Sequence, residues 1–178
     1  MKFHGFLGFH LPFHNNQDMP RIKLKTIIYA EIQVVFDLSR SIDLHKISTA
    51  QTQEEAIAGK TSGLLELNES VTWRAKHLGI TQTLTSKLTE FNSPGYFADE
   101  MVDGAFKRFK HEHYFSKLGE KVEMTDIFDY ISPFGILGKI ADFLFLEKYM
   151  ENLLIKRNQV IKDFAETEKW KMVLAQKP

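Results

Sequence analysis

The feature that most constrains the fold is a change in sequence periodicity near residue 132. Between Glu54 and Ile131, turn-forming residues recur at short intervals and no long helical pattern intervenes, which is typical of an antiparallel meander. After Ser132-Pro133-Phe134-Gly135, apolar residues recur at helical spacing as far as about Phe164. The sequence therefore predicts a sheet followed by one long amphipathic helix of roughly eight turns.

The N-terminal part supplies the remaining predicted elements. Residues 21 to 29 alternate and are rich in β-branched side chains, which predicts a strand. Residues 30 to 39 change to a helical period, and Ser41 can cap a second short helix. A strand, two short helices, a meander and a long helix make an α+β fold. Since sheet and helix each have an apolar side, we expect the sheet to curl around the helix, an arrangement that often leaves a cavity.

Residues 20 to 166 are predicted to form one domain, because single cores commonly reach roughly 100 to 200 residues before they split. Residues 1 to 19 are interpreted as an irregular extension, and residues 167 to 178 as a C-terminal tail. The extension is interrupted by His4, His10 and His14 and has no small-residue cleavage site, so a secretion signal is not expected. The sequence leaves open whether the native chain starts at Met1 or Met19.

Composition removes several classes of function. Lys plus Arg equals Asp plus Glu at 23 each, so no net charge favours a nucleic acid partner. No apolar run approaches the roughly 20 residues of a membrane-spanning helix. Cysteine is absent, which excludes thiolate chemistry and fits a reducing compartment, and we predict a cytoplasmic protein. The oligomeric state is left open.

Two loops place a pair of histidines on the inner face of the predicted sheet. With Gly119-Glu120 as a two-residue loop, His113 faces Asp126 and His111 faces Phe128. Both imidazoles then share a face with the apolar residues Phe109, Phe115, Met124, Phe128 and Tyr130. A two-residue loop at Leu78-Gly79 likewise pairs Trp73 with Leu84 and His77 with Ile80.

The dipeptide Asp103-Gly104 predicts a third hairpin, because both central positions of a type I′ turn need positive φ. This turn pairs Tyr96 with His111, and Asp99 with Arg108. Tyr96 would then lie on the inner face beside the histidines, and Asp99 would lie on the outer face.

The histidine pair allows three interpretations. His111 and His113 are about 6.6 Å apart along a strand and could converge on one metal ion. Asp126, Glu100 and His77 are possible further ligands, but no second tight ligand pair is visible, so we predict no metal and no cofactor. A carboxylate opposite His113 could prepare it as a general base. The same contact is how a core satisfies a buried histidine, and this plain structural role is the one we favour.

Aromatic residues are plentiful and several fall on the predicted inner face, as core, as pocket wall, or as both. Charged residues on the long helix are interpreted as a solvated face, namely Lys156, Arg157 and Lys162 with Glu151, Asp163 and Glu166. The candidate ligand-binding residues are Trp73, His77, Tyr96, Phe109, His111, His113, Phe115, Asp126, Phe128 and Tyr130.

Four stretches resemble a known superfamily: residues 30 to 45, 70 to 91, 95 to 115 and 124 to 164. They are similar to the START-like, or Bet v 1-like (SRPBCC), proteins, and within these to a polyketide cyclase/dehydrase-like subgroup related to coenzyme Q-binding proteins. The resemblance implies a helix-grip fold, in which about seven antiparallel strands curve around a long C-terminal helix. It also implies a cavity for lipids, sterols, quinones or polyketides, with catalysis in a minority of members and no shared catalytic motif.

Together these observations predict that the chain binds a small hydrophobic or aromatic ligand between sheet and helix. The alternative is a cyclase/dehydratase-type enzyme in which His113 is the general base and Asp126 orients it, and the sequence does not decide between them. A third class, a protein-interaction module, would show an exposed apolar patch.

Overall fold

The computed structural model describes residues 20–77, 79–133 and 135–174 of the chain. Seven strands form one curved antiparallel sheet in the order β1-β7-β6-β5-β4-β3-β2. Each strand pairs with its neighbour along the chain except β1, which closes against β7. The strands are β1 (Arg21–Ile28), β2 (Glu55–Gly59), β3 (Ser70–His77), β4 (Ile80–Asn92), β5 (Tyr96–Asp103), β6 (Arg108–Leu118) and β7 (Lys121–Ile131).

Two short helices follow β1, namely α1 (Ile32–Ser39) and α2 (Ile42–Ser48), and a 3₁₀ turn (Ala50–Thr52) leads to β2. Ser41 caps α2, and its side chain accepts a hydrogen bond from the backbone N–H of Leu44. The C-terminal helical segments are α3 (Ile136–Ala141), a π-helical turn (Asp142–Leu146), α4 (Glu147–Ala165) and α5 (Trp170–Leu174). The α+β helix-grip architecture predicted from the sequence is confirmed.

Helix α4 packs against β1, α1 and α2, and the apolar core lies between these helices and the inner face of the sheet. The segment predicted as a C-terminal tail contains α5, whose Trp170 and Val173 pack against the same core. Residues 1 to 19, predicted as an irregular extension, lie outside the described residues. Among the described helices, none is both long enough and apolar enough to span a bilayer.

The registers predicted from two of the turns are confirmed. Strands β6 and β7 pair His113 with Asp126 and His111 with Phe128. Strands β3 and β4 pair Trp73 with Leu84 and His77 with Ile80. On β6 the inward-facing residues are all buried, namely Phe109, His111, His113 and Phe115. Both histidines therefore lie on the inner face of the sheet, as predicted.

The register predicted for β5 and β6 is wrong by three residues. Tyr96 pairs with Tyr114 rather than His111, and Asp99 pairs with His111 rather than Arg108. The reason is the length of the connection, since the last pair is Glu100 with Lys110 and the two-residue turn predicted at Asp103-Gly104 does not join the strands. A shift by an odd number exchanges the faces of a strand, so Asp99 turns inward and Tyr96 turns outward.

The long helix is also less regular than predicted. The π-helical turn rotates α3 relative to α4, because each π turn accommodates more residues than an α turn. The apolar stripe therefore breaks, so that Leu154 and Ile161 on α4 are buried whereas Phe143 is 86% exposed. We use the name α3 face for the exposed apolar residues Ile136, Leu137, Ile140, Phe143, Leu144 and Phe145.

Candidate functional site

An internal cavity of about 480 Å³ lies between the inner face of the sheet and the helices α2, α3 and α4. Strands β3 to β7 supply one wall, and α4 supplies the opposite wall through Met150, Leu153 and Leu154. Two members of the α3 face, Leu137 and Phe145, line the cavity while remaining partly exposed. The cavity therefore reaches the surface beside α3.

The structure brings most of the predicted ligand-binding residues to this cavity. Those in its lining are Trp73, His77, Phe109, His111, His113 and Phe128. Phe115 and Tyr130 belong instead to the packed core, and Asp126 is fully buried behind the two histidines. Tyr96 is on the outer face, where its hydroxyl donates to Glu90 at 3.0 Å and also lies 3.3 Å from Glu112. It does not line the cavity, because the β5 register that placed it there is wrong.

Asp126 is the centre of a buried polar cluster. Its Oδ1 atom lies 2.7 Å from Nδ1 of His113 and 3.2 Å from Nε2 of His111, although neither ring is oriented for an ideal N–H···O bond. From α4, Asn158 Nδ2 donates to Oδ2 at 2.6 Å, and Arg157 Nη1 lies 3.5 Å from Oδ1. Four side chains from two elements therefore converge on one carboxylate.

Asp99 completes the cluster from the neighbouring strand. Its Oδ1 atom lies 3.4 Å from Nε2 of His113, so this imidazole contacts a carboxylate at each ring nitrogen. Phe97 stacks on the same ring at a centroid distance of 4.2 Å, and His111 lies against it at 3.9 Å. His113 is thus held on all sides, and its side chain is only 1% exposed.

The charges of the cluster follow from these contacts. Burial alone would raise the pKa of Asp126, but hydrogen bonding and charge from His111, His113 and Arg157 hold that pKa well below its usual range. Burial would likewise raise the pKa of Asp99, and the same three partners lower it. Burial, followed by repulsion from His113, lowers the pKa of His111 to about 4. At neutral pH His111 is therefore an uncharged imidazole beside two carboxylates.

A second polar group lines the cavity on the β2–β3 side. Nδ1 of His77 lies 2.9 Å from the hydroxyl of Tyr149, and Nε2 of His45 lies 3.4 Å from Glu54. His45 also packs on Trp73, with ring centroids 4.2 Å apart. Burial would raise the pKa of Glu54, but His45 and then His77 lower it. This group lies on a different part of the sheet from the histidine pair, because strands β4 and β5 separate β3 from β6.

Several of these residues were not found from the sequence. Arg157 was interpreted as part of a solvated face, yet it is buried and its Nη2 donates to the carbonyl of Ser39 at 2.7 Å. Its spacing from Leu154 and Ile161 places it on the apolar stripe of α4, and this signal could have identified it. His45, Glu54, Phe97, Tyr149 and Asn158 carry no comparable signal.

Comparisons with known proteins agree on the architecture. No family model matches the chain, and no curated protein matches it by sequence. Many solved structures match by shape. TTHA0849 from Thermus thermophilus is similar at a TM-score of 0.63 and 16% identity, with 80% of this chain and 97% of that chain covered.

Two further structures give the same result. Major latex-like protein 151 from Panax ginseng is similar at a TM-score of 0.62 and 13% identity, covering 84% of this chain and 99% of that chain. A START superfamily protein from Mycobacterium smegmatis is similar at a TM-score of 0.63 and 8% identity, covering 82% and 97% respectively. The chain has the helix-grip fold of the START-like and Bet v 1-like proteins.

Proposed function

We propose that this helix-grip protein binds a small, largely hydrophobic ligand of the lipid, quinone or polyketide kind in the cavity between sheet and α4. The single observation that carries the proposal is the cavity itself, whose volume of about 480 Å³ falls within the range of small-molecule sites. Its wall is mostly apolar, and its polar side chains include two groups, one around His77 and Tyr149 and the other around His111 and Asp99. The fold supports ligand binding in general, and the shape and chemistry of the cavity support this class of ligand.

The two polar groups suggest how such a ligand is oriented. A molecule that reaches from His77 and Tyr149 to His111 can make hydrogen bonds near both of its ends, with apolar contacts between them. A buried polar group without a partner costs about 1 to 3 kcal/mol, so ligands that pair these groups are preferred over purely apolar ones. Flat ligands gain a further contact where His45 and Trp73 already stack.

The α3 face fits a route of entry. An exposed apolar patch is also what a protein-interaction module would show, but Leu137 and Phe145 belong both to this patch and to the cavity lining. We therefore assign the α3 face to the mouth of the cavity, where a hydrophobic ligand would pass.

Fluorescence of Trp73 gives a direct test of ligand binding. Trp170 lies outside the cavity, so the variant Trp170→Phe leaves Trp73 as the only tryptophan and as a reporter inside the lining. Titration with anilinonaphthalene sulfonate, a methylnaphthoquinone or decanoate is expected to change its emission with saturation, and at least one probe should bind with a dissociation constant of about 1 to 100 μM. Native mass spectrometry should show one probe per chain. If none of the three binds saturably, the proposal is wrong.

A second function is favoured by one specific contact, the 2.7 Å between His113 Nδ1 and Asp126 Oδ1. In a cyclase/dehydratase-type enzyme this carboxylate would orient His113, whose Nε2 would take a proton from the substrate. The variant His113→Gln should then abolish turnover, measured as loss of water from a bound polyketide-like substrate, while ligand affinity stays within a few-fold. Unchanged turnover in a folded variant would reject the catalytic role.

A further inference from the structure

The inward turn of Asp99 creates a cluster that the sequence did not reveal. One ligand atom from each of Asp99, His111 and His113 lies within 4.8 Å of the others, and all three residues line the cavity. From the sequence, Asp126, Glu100 and His77 were the possible further ligands, and no second tight ligand pair was visible. The observed register of β5 and β6 supplies one, because Asp99 is the direct cross-strand neighbour of His111.

Asp126 orients both imidazoles in the way that metal sites use. It contacts Nδ1 of His113 and Nε2 of His111, and a carboxylate favours an N–H group on the ring nitrogen that faces it. The remaining nitrogens, Nε2 of His113 and Nδ1 of His111, then carry the lone pairs. In metal sites, the ring nitrogen of a histidine that does not bind the ion commonly contacts a carboxylate. Here the single carboxylate of Asp126 contacts both histidines.

The charges of the cluster leave room for a cation. Asp99 and Asp126 bring two carboxylates, and Arg157 is the one permanent cation that contacts the cluster within the part of the chain that the structure describes. Two carboxylates therefore face one guanidinium in a largely buried place, and a buried carboxylate without a compensating cation is costly.

We propose that Asp99, His111 and His113 bind one divalent first-row transition metal ion, such as Zn²⁺, Fe²⁺ or Ni²⁺, with its remaining coordination positions open to the cavity. Imidazole selects these ions over Mg²⁺ and Ca²⁺, and two histidines with one carboxylate form a set that keeps positions free. A carbonyl or enolate oxygen of a ligand could occupy an open position. The ion would thereby anchor an oxygenated end of the ligand next to His111, and ligand binding as proposed above does not depend on it.

The test uses the full chain after removal of metal with a chelator. His4, His10 and His14 could bind an ion of their own, so all three are replaced by glutamine to give a background variant. Isothermal titration with Zn²⁺ is expected to show one site per chain with a dissociation constant of about 1 μM or lower. Co²⁺ should give visible absorption bands of a bound ion, and Mg²⁺ should give no response.

Matched variants in the same background locate the ion. Asp99→Asn keeps the shape of the side chain and is expected to weaken Zn²⁺ binding at least about tenfold, about 1.4 kcal/mol. His77→Gln alters another histidine of the cavity, one paired with Tyr149, and should leave Zn²⁺ binding unchanged. The unmodified cluster is tested by the Co²⁺ spectrum, which needs no substitution within it.

Two outcomes would overturn the metal proposal. The first is absence of saturable Zn²⁺ and Co²⁺ binding in the background variant. The second is equal Zn²⁺ affinity with and without Asp99→Asn. Neither outcome affects the Trp73 titration with organic probes, so failure of the metal site and failure of ligand binding remain distinguishable.

Discussion

Replacement of Asp126 by alanine is expected to lower the free energy of unfolding by about 3 to 5 kcal/mol, because it removes one partner of a buried charge network and leaves the others in place. Arg157 would keep a charge at a site where only backbone and amide oxygens remain to accept its hydrogen bonds. His111, His113 and Asn158 would each lose the carboxylate that they contact. The measurement is urea unfolding at pH 7, followed by far-UV circular dichroism.

The control lies on the same strand. Glu123, also on β7, forms an ion pair with Lys25 at 2.8 Å, and the Lys25 side chain is 56% exposed. Glu123→Ala is expected to cost less than about 1 kcal/mol, because exposed pairs gain little over their hydrated, separated forms. A result in which both variants lose similar stability would contradict the view that Asp126 organises the interior. Asp126→Asn, which keeps the shape and removes the charge, should fall between wild type and Asp126→Ala.

The sequence predicted the histidine face correctly because a two-residue loop leaves little freedom. Gly119 has a φ of +64°, which glycine adopts without strain, and the loop at that position fixes every pair from Lys110–Asp129 to Phe115–Met124. The face of the sheet that each β6 side chain occupies then follows from strand geometry alone, since side chains alternate between the two faces. The sequence alone therefore places His113 opposite Asp126.

The register of β5 against β6 was predicted wrongly, because Asp103-Gly104 was interpreted as a two-residue turn. Gly104 has a φ of +142°, but Asp103 does not have the positive φ that a type I′ turn also requires, and the chain continues through Lys107 before β6 begins. A Cβ at residue 104 would lie 2.9 Å from the Cα atom of Leu84 on β4, so this part of the loop packs closely on a strand distant in sequence. Such a contact has no local sequence signal. The observed register of β5 and β6 places Asp99 at the cavity.

The partners on α4 and near β2 could not be predicted for a related reason. Arg157 and Asn158 reach Asp126 from a helix that is more than 30 residues away in sequence. Their burial depends on how α4 is rotated, and the π-helical turn at Asp142–Leu146 sets that rotation relative to α3. Periodicity locates a helix but does not fix such a rotation, so the polar half of the candidate site emerges only from the folded structure.

Ala75→Phe is expected to have opposite effects on ligand binding and on stability. Ala75 is buried on β3 and lines the cavity, so a phenyl ring at this position points into open space rather than into packed atoms. A cavity of about 150 Å³ holds a benzene molecule, so the ring should fill roughly a third of the available volume. Affinity for the best of the organic probes should fall at least about tenfold, the scale on which hydrophobic pockets discriminate by size.

The stability of Ala75→Phe should not fall with its affinity, because filling a cavity gives the lining side chains contacts that they lack. The free energy of unfolding of Ala75→Phe is expected to stay within about 1 kcal/mol of wild type or to rise, in contrast to ordinary overpacking of a filled core, which costs about 1 to 3 kcal/mol.

Lys76→Phe is the matched control, since residue 76 is exposed on the outer face of the same strand and should leave affinity unchanged. If Ala75→Phe fails to fold, Ser86→Leu on β4 places a smaller obstruction in the same lining. Wild-type affinity in a folded, cavity-filled variant would show that the probes bind elsewhere, and it would remove the ligand-binding proposal.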